Sequence, residues 1–159
     1  MRHQPSAWEV VGRCRTGPQG PRVLEVNARL ASGLIGYLVH LATGINLGTV
    51  AADIACGRVP LLESSNRGTA ASRMFRPATS GILAERRLLP DSPRPWLRRL
   101  LWLRDAGDPV AANRLLTTQR SGAVGFAVVT APTSAEARGH LDGLERNVII
   151  AARSARSRT

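Results

Sequence analysis

The sequence contains no lysine: each of its 22 basic residues is arginine. A Walker-type phosphate loop depends on the lysine that follows its glycines, and Schiff-base catalysis depends on a lysine amine, so both chemistries are excluded. Aromatic residues make up only 4%. The core must therefore rest on Leu, Val, Ile and Ala, and few rings remain for stacking on nucleic-acid bases. Cys14 and Cys56 stand far apart with no CxxC or Cys/His cluster, which indicates neither a zinc site nor a disulfide framework. No apolar run approaches the roughly 20 residues that span a bilayer, and MRHQPSAWEVVGRCR has no apolar stretch of the kind a secretory signal carries. The expectation is a cytoplasmic protein with reduced thiols and no membrane partner.

What is present is enough to fold. At 159 residues and 43% hydrophobic, the chain can bury a core as one domain or two small ones. The net charge of +11 invites a nucleic-acid partner, because clustered cations gain by releasing the counterions of a polyphosphate. The arginines, however, occur in every segment and form no stripe. Arginine in place of lysine beside abundant Ala and Gly reflects coding bias more often than a ligand, and no specific nucleic-acid partner is expected.

Local patterns divide the chain. TGPQGPR (16–22) concentrates glycine and proline into a turn, and a strand near 10–15 would make it a hairpin with a second strand at 23–29. Leu34, Leu38 and Leu41 recur at helical spacing, so 33–43 is expected to be a mostly buried helix ended by Gly44. Asn46 is placed to cap a second helix over 47–56, with Gly57 at its left-handed end. After a polar loop at 58–70, strands are expected at 70–75 and 82–87 and a proline-rich turn at 90–95. WLRRLLWLR (96–104) could be drawn as a basic membrane-surface helix. Pro93, Pro95 and the following DAGD turn favour a strand with Leu101 and Leu103 inward. GAVGFAVVTA (122–131) is a buried-strand candidate. It leads into Thr133-Ser134-Ala135-Glu136, a capping box in which hydroxyl and carboxylate satisfy each other's orphan amides. Ala137, Leu141, Leu144 and Val148 mark the core face of the helix that follows.

The candidate chemistry lies in LEVNARL (24–30). As an extended strand it puts Glu25, Asn27 and Arg29 on one face, about 6.6 Å apart, over an apolar underside. Magnesium takes oxygen ligands, usually one or two carboxylates with substrate phosphates, and an arginine two residues further along can pair with phosphoryl oxygens. Glu25 and Asn27 would hold the metal and Arg29 the anion. The other polar residues carry less. His40 sits among Leu38, Val39 and Leu41 as a helix residue, and His3 and His140 have no catalytic partners in sequence. Ser32, Thr43 and Ser80 lack a nucleophile elbow. Trp8, Trp96 and Trp102 suit core or edge positions.

VLEVNARLASGLIGYLVHLATGINLGTVAADIACG (23–57) resembles the metal-binding strand and following helices of the ATP-grasp carboxylate ligases, the family that contains biotin carboxylase and D-alanine ligase. The matching positions are Glu25, Asn27, Arg29, Gly33 and Ala42-Thr43-Gly44-Ile45-Asn46-Leu47, with Asn46 in place of the usual Asp. RGTAASRMFRPATSGIL (67–83) and GAVGFAVVTAPTSAEARGHLDGLERNVII (122–150) are more faintly similar to the closing parts of the same ligases. The resemblance implies an α+β fold, an antiparallel sheet with packed helices forming the C-terminal portion of an ATP-grasp fold. It divides the chain into an unpatterned segment 1–19, the metal-binding strand and helices 20–66, an α+β subdomain 67–150 and a disordered basic tail 151–159.

The resemblance also implies an ATP- and magnesium-dependent carboxylate–amine ligase acting through an acyl phosphate, or an inactive remnant of one, with manganese able to substitute. Glu25 and Asn27 match the metal ligands, and Arg29 matches the phosphate-facing catalytic arginine. The family's further metal carboxylate, about a dozen residues upstream, falls on Arg13, with Glu9 the nearest acid. The family's nucleotide-gripping lobe precedes this strand and is expected to come from elsewhere, such as a partner chain or a second copy. The alternative is a non-enzymatic basic module that binds nucleic acid or an acidic protein.

Overall fold

The computed structural model describes residues 11–27, 34–66, 68–89, 94–112 and 122–153, with the backbone alone for 11–17, 21 and 23–27. The chain divides into two compact units, Met1–Arg67 and Gly68–Thr159. The architecture is α+β, and every strand pair is antiparallel.

The first unit holds a hairpin and two helices. Strands β1 (Val11–Gly17) and β2 (Gly20–Asn27) join through Pro18 and Gln19. Proline at the second position of the turn and glycine at the fourth, with Gly20 at φ +90°, suit a type I turn closed by a left-handed residue. Helix α1 (Ile35–Thr43) ends at Gly44, whose φ is +84°. It is half-buried rather than mostly buried: none of its residues is fully covered, Ile35 is 51% exposed, and His40 faces solvent.

Helix α2 (Leu47–Ala55) starts on the Asn46 carboxamide, which accepts from the amides of Gly48 at 2.9 Å and Thr49 at 3.3 Å. Asn and Asp are near-equal N-caps, so asparagine at 46 keeps this function. Asn46→Ala is expected to cost about 1 kcal/mol, read from denaturant unfolding of the intact chain. The far end is a Schellman motif, in which Gly57 N–H donates to the Ile54 carbonyl and Arg58 N–H to the Asp53 carbonyl, with Gly57 at φ +70°. The Arg58 guanidinium then returns to Asp53 Oδ1 at 2.7 Å. Between the helices the path bends by 102°. No single helix among the described residues is long and apolar enough to cross a membrane. Ser64 Oγ, Ser65 N–H and Asn66 N–H all donate to the Thr43 carbonyl, which fastens the 58–66 loop to the end of α1.

The second unit holds β3 (Thr69–Phe75), β4 (Gly81–Leu88), β5 (Leu97–Trp102), the two-residue β6 (Pro109–Val110), β7 (Gly125–Ala131), α3 (Ser134–Asn147) and β8 (Val148–Arg153). One sheet runs β3-β7-β5 and another β6-β4-β8. Helix α3 lies on β3, β7 and β8. It presses Ala137, Leu141 and Leu144 onto Phe75, Ala127 and Val129, with Trp96, Leu100 and Trp102 at the margin. A smaller cluster of Leu83, Val110 and Val124 adjoins Trp102 and Ile150. Arg73 on β3 reaches α3, bonding Asp142 at 2.7 Å and Glu145 at 2.6 Å. The hydrogen bond to Asp142 is the main cause of its raised pKa, which burial opposes.

Several expectations are corrected. Leu101 and Leu103 face outward, 44% and 36% exposed. In β5, Leu97 pairs with Val129 and Arg99 with Val128, which leaves Arg98 as an extra residue. This bulge reverses the alternation, so Leu100 and Trp102 turn inward instead. Val148 does not continue the helix face, because α3 ends at Asn147 and β8 begins. Ala151–Arg153, placed by sequence in the basic tail, are the end of β8; 154–159 lie outside the described residues. In 122–131 the strand begins only at Gly125, although Val124 extends the ladder by donating to the Phe75 carbonyl and accepting from Leu103. The capping box is partial: Thr133 Oγ1 accepts from Glu136 N–H at 3.2 Å, but its hydroxyl donates to the Glu136 carboxylate, which therefore holds the cap rather than an amide.

Candidate functional site

The hairpin register fixes where the candidate residues stand. Glu25 pairs with Arg13 and Asn27 with Val11. Cys14 pairs with Val23, so Leu24 is an extra residue, and regular alternation resumes only at Glu25. Glu25 and Asn27, two positions apart on the uninterrupted ladder, share a face. Arg29 and Glu9 lie outside the described residues, as does the 28–33 step into α1.

The same register brings in two residues that the motif does not contain. Arg15 pairs with Arg22. Because β1 is unbulged, Arg13 and Arg15 fall on one face, and their partners Glu25 and Arg22 fall there too. That face carries three arginines, one glutamate and one asparagine; the other carries Gly12, Cys14 and Thr16 against Val26, Val23 and Pro21. The signal was present in the turn. A two-residue connection at Pro18–Gln19 pairs Gly17 with Gly20 and so Arg15 with Arg22 by counting outward. Arg22 is exposed and its guanidinium donates to the Gln19 carboxamide oxygen.

Several of the other polar candidates have structural partners, and His3 and Ser32 lie outside the described residues. His140 stacks flat on Trp96, ring centroids 4.2 Å apart and planes 3° from parallel. The Ser80 hydroxyl accepts from Ala112 N–H. The Thr43 hydroxyl donates to the Val39 carbonyl and accepts from Ile45 N–H. Cys56 is a free, exposed thiol. Among the described residues no group of three or more His, Cys, Asp and Glu side chains could hold a metal ion.

This arrangement of hairpin, helix pair, antiparallel sheets and closing helix recurs in solved enzymes. Phosphoribosylglycinamide synthetase from Anaerococcus prevotii superposes on 91% of the chain with TM-score 0.72 at 19% identity. The fold is that of the ATP-grasp ligases. The L-amino acid ligase of Bacillus licheniformis matches the same ATP-grasp fold over 90% of the chain, with TM-score 0.65 and 20% identity. The biotin carboxylase domain of Hydrogenobacter thermophilus 2-oxoglutarate carboxylase, a dimer solved with MgADP, ADP and bicarbonate, matches over 88% with TM-score 0.59 and 14% identity. The chain spans 37%, 36% and 31% of those three proteins, about a third of each. No family model matches the sequence, and neither does any curated protein.

Proposed function

We propose that the chain is the phosphate-facing part of an ATP- and magnesium-dependent carboxylate–amine ligase, with Glu25 and Asn27 as metal ligands and Arg29 on the phosphoryl oxygens. The observation that carries this reading is the position of Glu25 and Asn27 on the closing strand of a hairpin within an ATP-grasp fold. The donor set suits a metal that arrives on a nucleotide. A carboxylate and a carboxamide two positions apart offer two oxygens, and magnesium commonly takes one or two protein ligands and completes its shell with phosphates and water. Arg13 opposite Glu25 disfavours a metal held by the protein alone. When bound, magnesium would neutralise phosphoryl charge as a substrate carboxylate is activated as its acyl phosphate. The chain's own part is to hold the phosphates and orient them, which is electrostatic positioning. In this reading, contacts to the adenine and to the carboxylate fall to residues other than Glu25, Asn27 and Arg29, with a partner chain or a second copy able to supply them. Such chemistry suits a cytoplasmic setting.

Calorimetric titration with Mg-ATP tests this. Saturable binding that weakens about tenfold or more in Glu25→Ala is expected, the scale of losing one charged ligand. Binding that Glu25→Ala leaves unchanged would remove these residues from the site, and no binding at all would reduce the activity proposal to shared ancestry of fold.

A further inference from the structure

β5 combines unpaired backbone, uncovered leucine and charge of one sign. Leu103 N–H donates to the Val124 carbonyl at 2.8 Å, and Leu101 pairs with Phe126 two positions earlier. Alternation then turns the N–H and C=O groups of Leu100 and Trp102 away from β7, toward the outer edge. No described strand pairs with them there. Along the same stretch Leu101 and Leu103 are 44% and 36% exposed, and Arg98, Arg99 and Arg104 are exposed as well. Residues 96–104 contain no acid, and Arg98 and Arg104 form no ion pair with any described residue. The two acids of the following turn are engaged elsewhere: Asp105 bonds Arg86, and Asp108 accepts from Asp105 N–H.

We infer that the outer edge of β5, over Leu100–Leu103, takes an extended acidic segment of another protein as an added strand. Strand addition draws affinity from main-chain hydrogen bonds and specificity from alternate side chains. Leu101 and Leu103 meet the partner's apolar positions, while Arg98 and Arg99 at one end and Arg104 at the other meet its carboxylates. The bulge at Arg98 stops regular pairing there. The added strand is therefore short, and charge at its two ends positions it.

Other partners fit this edge less well. A lipid surface cannot satisfy the backbone groups of Leu100 and Trp102, and two leucines make a weak anchor. Single-stranded nucleic acid stacks on exposed rings, but the Trp102 indole already meets Phe75 and Arg86, and Trp96 is stacked on His140. A second copy brings its own net charge of +11, which opposes close approach. The inference goes beyond the ligase reading and does not depend on it.

Titration of the full chain with a synthetic peptide of alternating glutamate and valine, followed by calorimetry and NMR, tests this. Saturable binding is expected, with slowed hydrogen exchange at the Leu100 and Trp102 amides and weaker affinity as salt rises. Arg98→Gln and Arg104→Gln should each weaken binding about two- to fivefold, the range of one exposed ion pair. Leu101→Ser should weaken it about fivefold through lost apolar contact. All three positions are exposed, and unaltered melting midpoints separate lost binding from lost folding. The same peptide N-methylated along its backbone keeps its side chains but cannot pair, and it should not bind.

No binding, variants that bind equally well, or an N-methylated peptide that matches the parent would overturn the inference. So would binding that leaves the Leu100 and Trp102 amides unprotected. A short oligonucleotide or phosphatidylserine vesicles that bind as tightly per charge would also overturn it, since that marks a general polyanion surface. Protection of the same amides without peptide, rising with protein concentration in step with sedimentation, would overturn it by making a second copy the occupant.

Discussion

Replacing Gly125 by alanine should lower the melting midpoint by about 10 °C or more, and replacement by valine should lower it further. Gly125 is central in its sheet, paired with Phe75 on one side and Trp102 on the other. A Cβ at this position would lie 2.7 Å from the Leu101 carbonyl oxygen and 2.7 Å from Trp102 Cε3. The carbonyl belongs to the paired strand β5 and cannot rotate away. The indole is itself fixed, since it meets the Phe75 ring at a centroid distance of 6.3 Å and carries the Arg86 guanidinium 5.4 Å from its ring centre. Overpacking of this kind costs about 1–3 kcal/mol, and each kcal/mol moves the midpoint of a unit this size by about 4–8 °C. Calorimetric melting of the two variants decides it. An unchanged midpoint would mean that the strands separate easily here, against the packing described.

Leu144→Ala should be comparably damaging for the opposite reason. Leu144 is 1% exposed and lies beneath α3 with Ala137 and Leu141, against Phe75 and Val129. Removing such a side chain costs about 2–5 kcal/mol, through lost transfer energy and the cavity left behind. The informative control is Leu101→Ala, a chemically identical change on β5. Leu101 is 44% exposed, and surface changes stay within about 0.5 kcal/mol. Denaturant midpoints for the two variants should differ widely. Similar losses would return Leu101 to the core and remove the bulge at Arg98.

That comparison marks where the sequence was readable and where it was not. Helix ends were legible because each depends on one or two residues with a specific local role, as with Asn46 on two amides, Gly44 and Gly57 at positive φ, and Thr133 on Glu136. Strand positions were legible as well, since Thr69–Phe75, Gly81–Leu88 and Leu97–Trp102 lie within a residue or two of where short apolar-containing segments between turn signals put them. The faces of the strands were not. Extra residues at Leu24, Ala84 and Arg98 each reverse a period-two pattern, and no residue type announces a bulge of this sort. In β4 the consequence is that Glu85 and Arg87 face outward and pair at 2.6 Å, while Arg86 turns toward Trp102 and Asp105. At the candidate site, the pairing of Glu25 and Asn27 positions was open to alternation because the Leu24 bulge lies upstream of both. The opposition of Arg15 to Arg22 depends on the partner strand, which a pattern read along a single strand does not reach.

The bulge in β5 also bears on how the molecule avoids its own kind. β5 is an outer strand of the β3-β7-β5 sheet, and such a margin offers unpaired amides and carbonyls to any second chain that can lie flat beside it. WLRRLLWLR, drawn as a regular strand, would be a smooth and partly greasy border. The extra residue at Arg98 twists that border, and it leaves two adjacent arginines, Arg98 and Arg99, exposed there. A neighbouring copy approaching to extend the sheet would meet misaligned backbone and like charge, which protects a leucine-rich segment from stacking into fibres while the protein is concentrated or newly made.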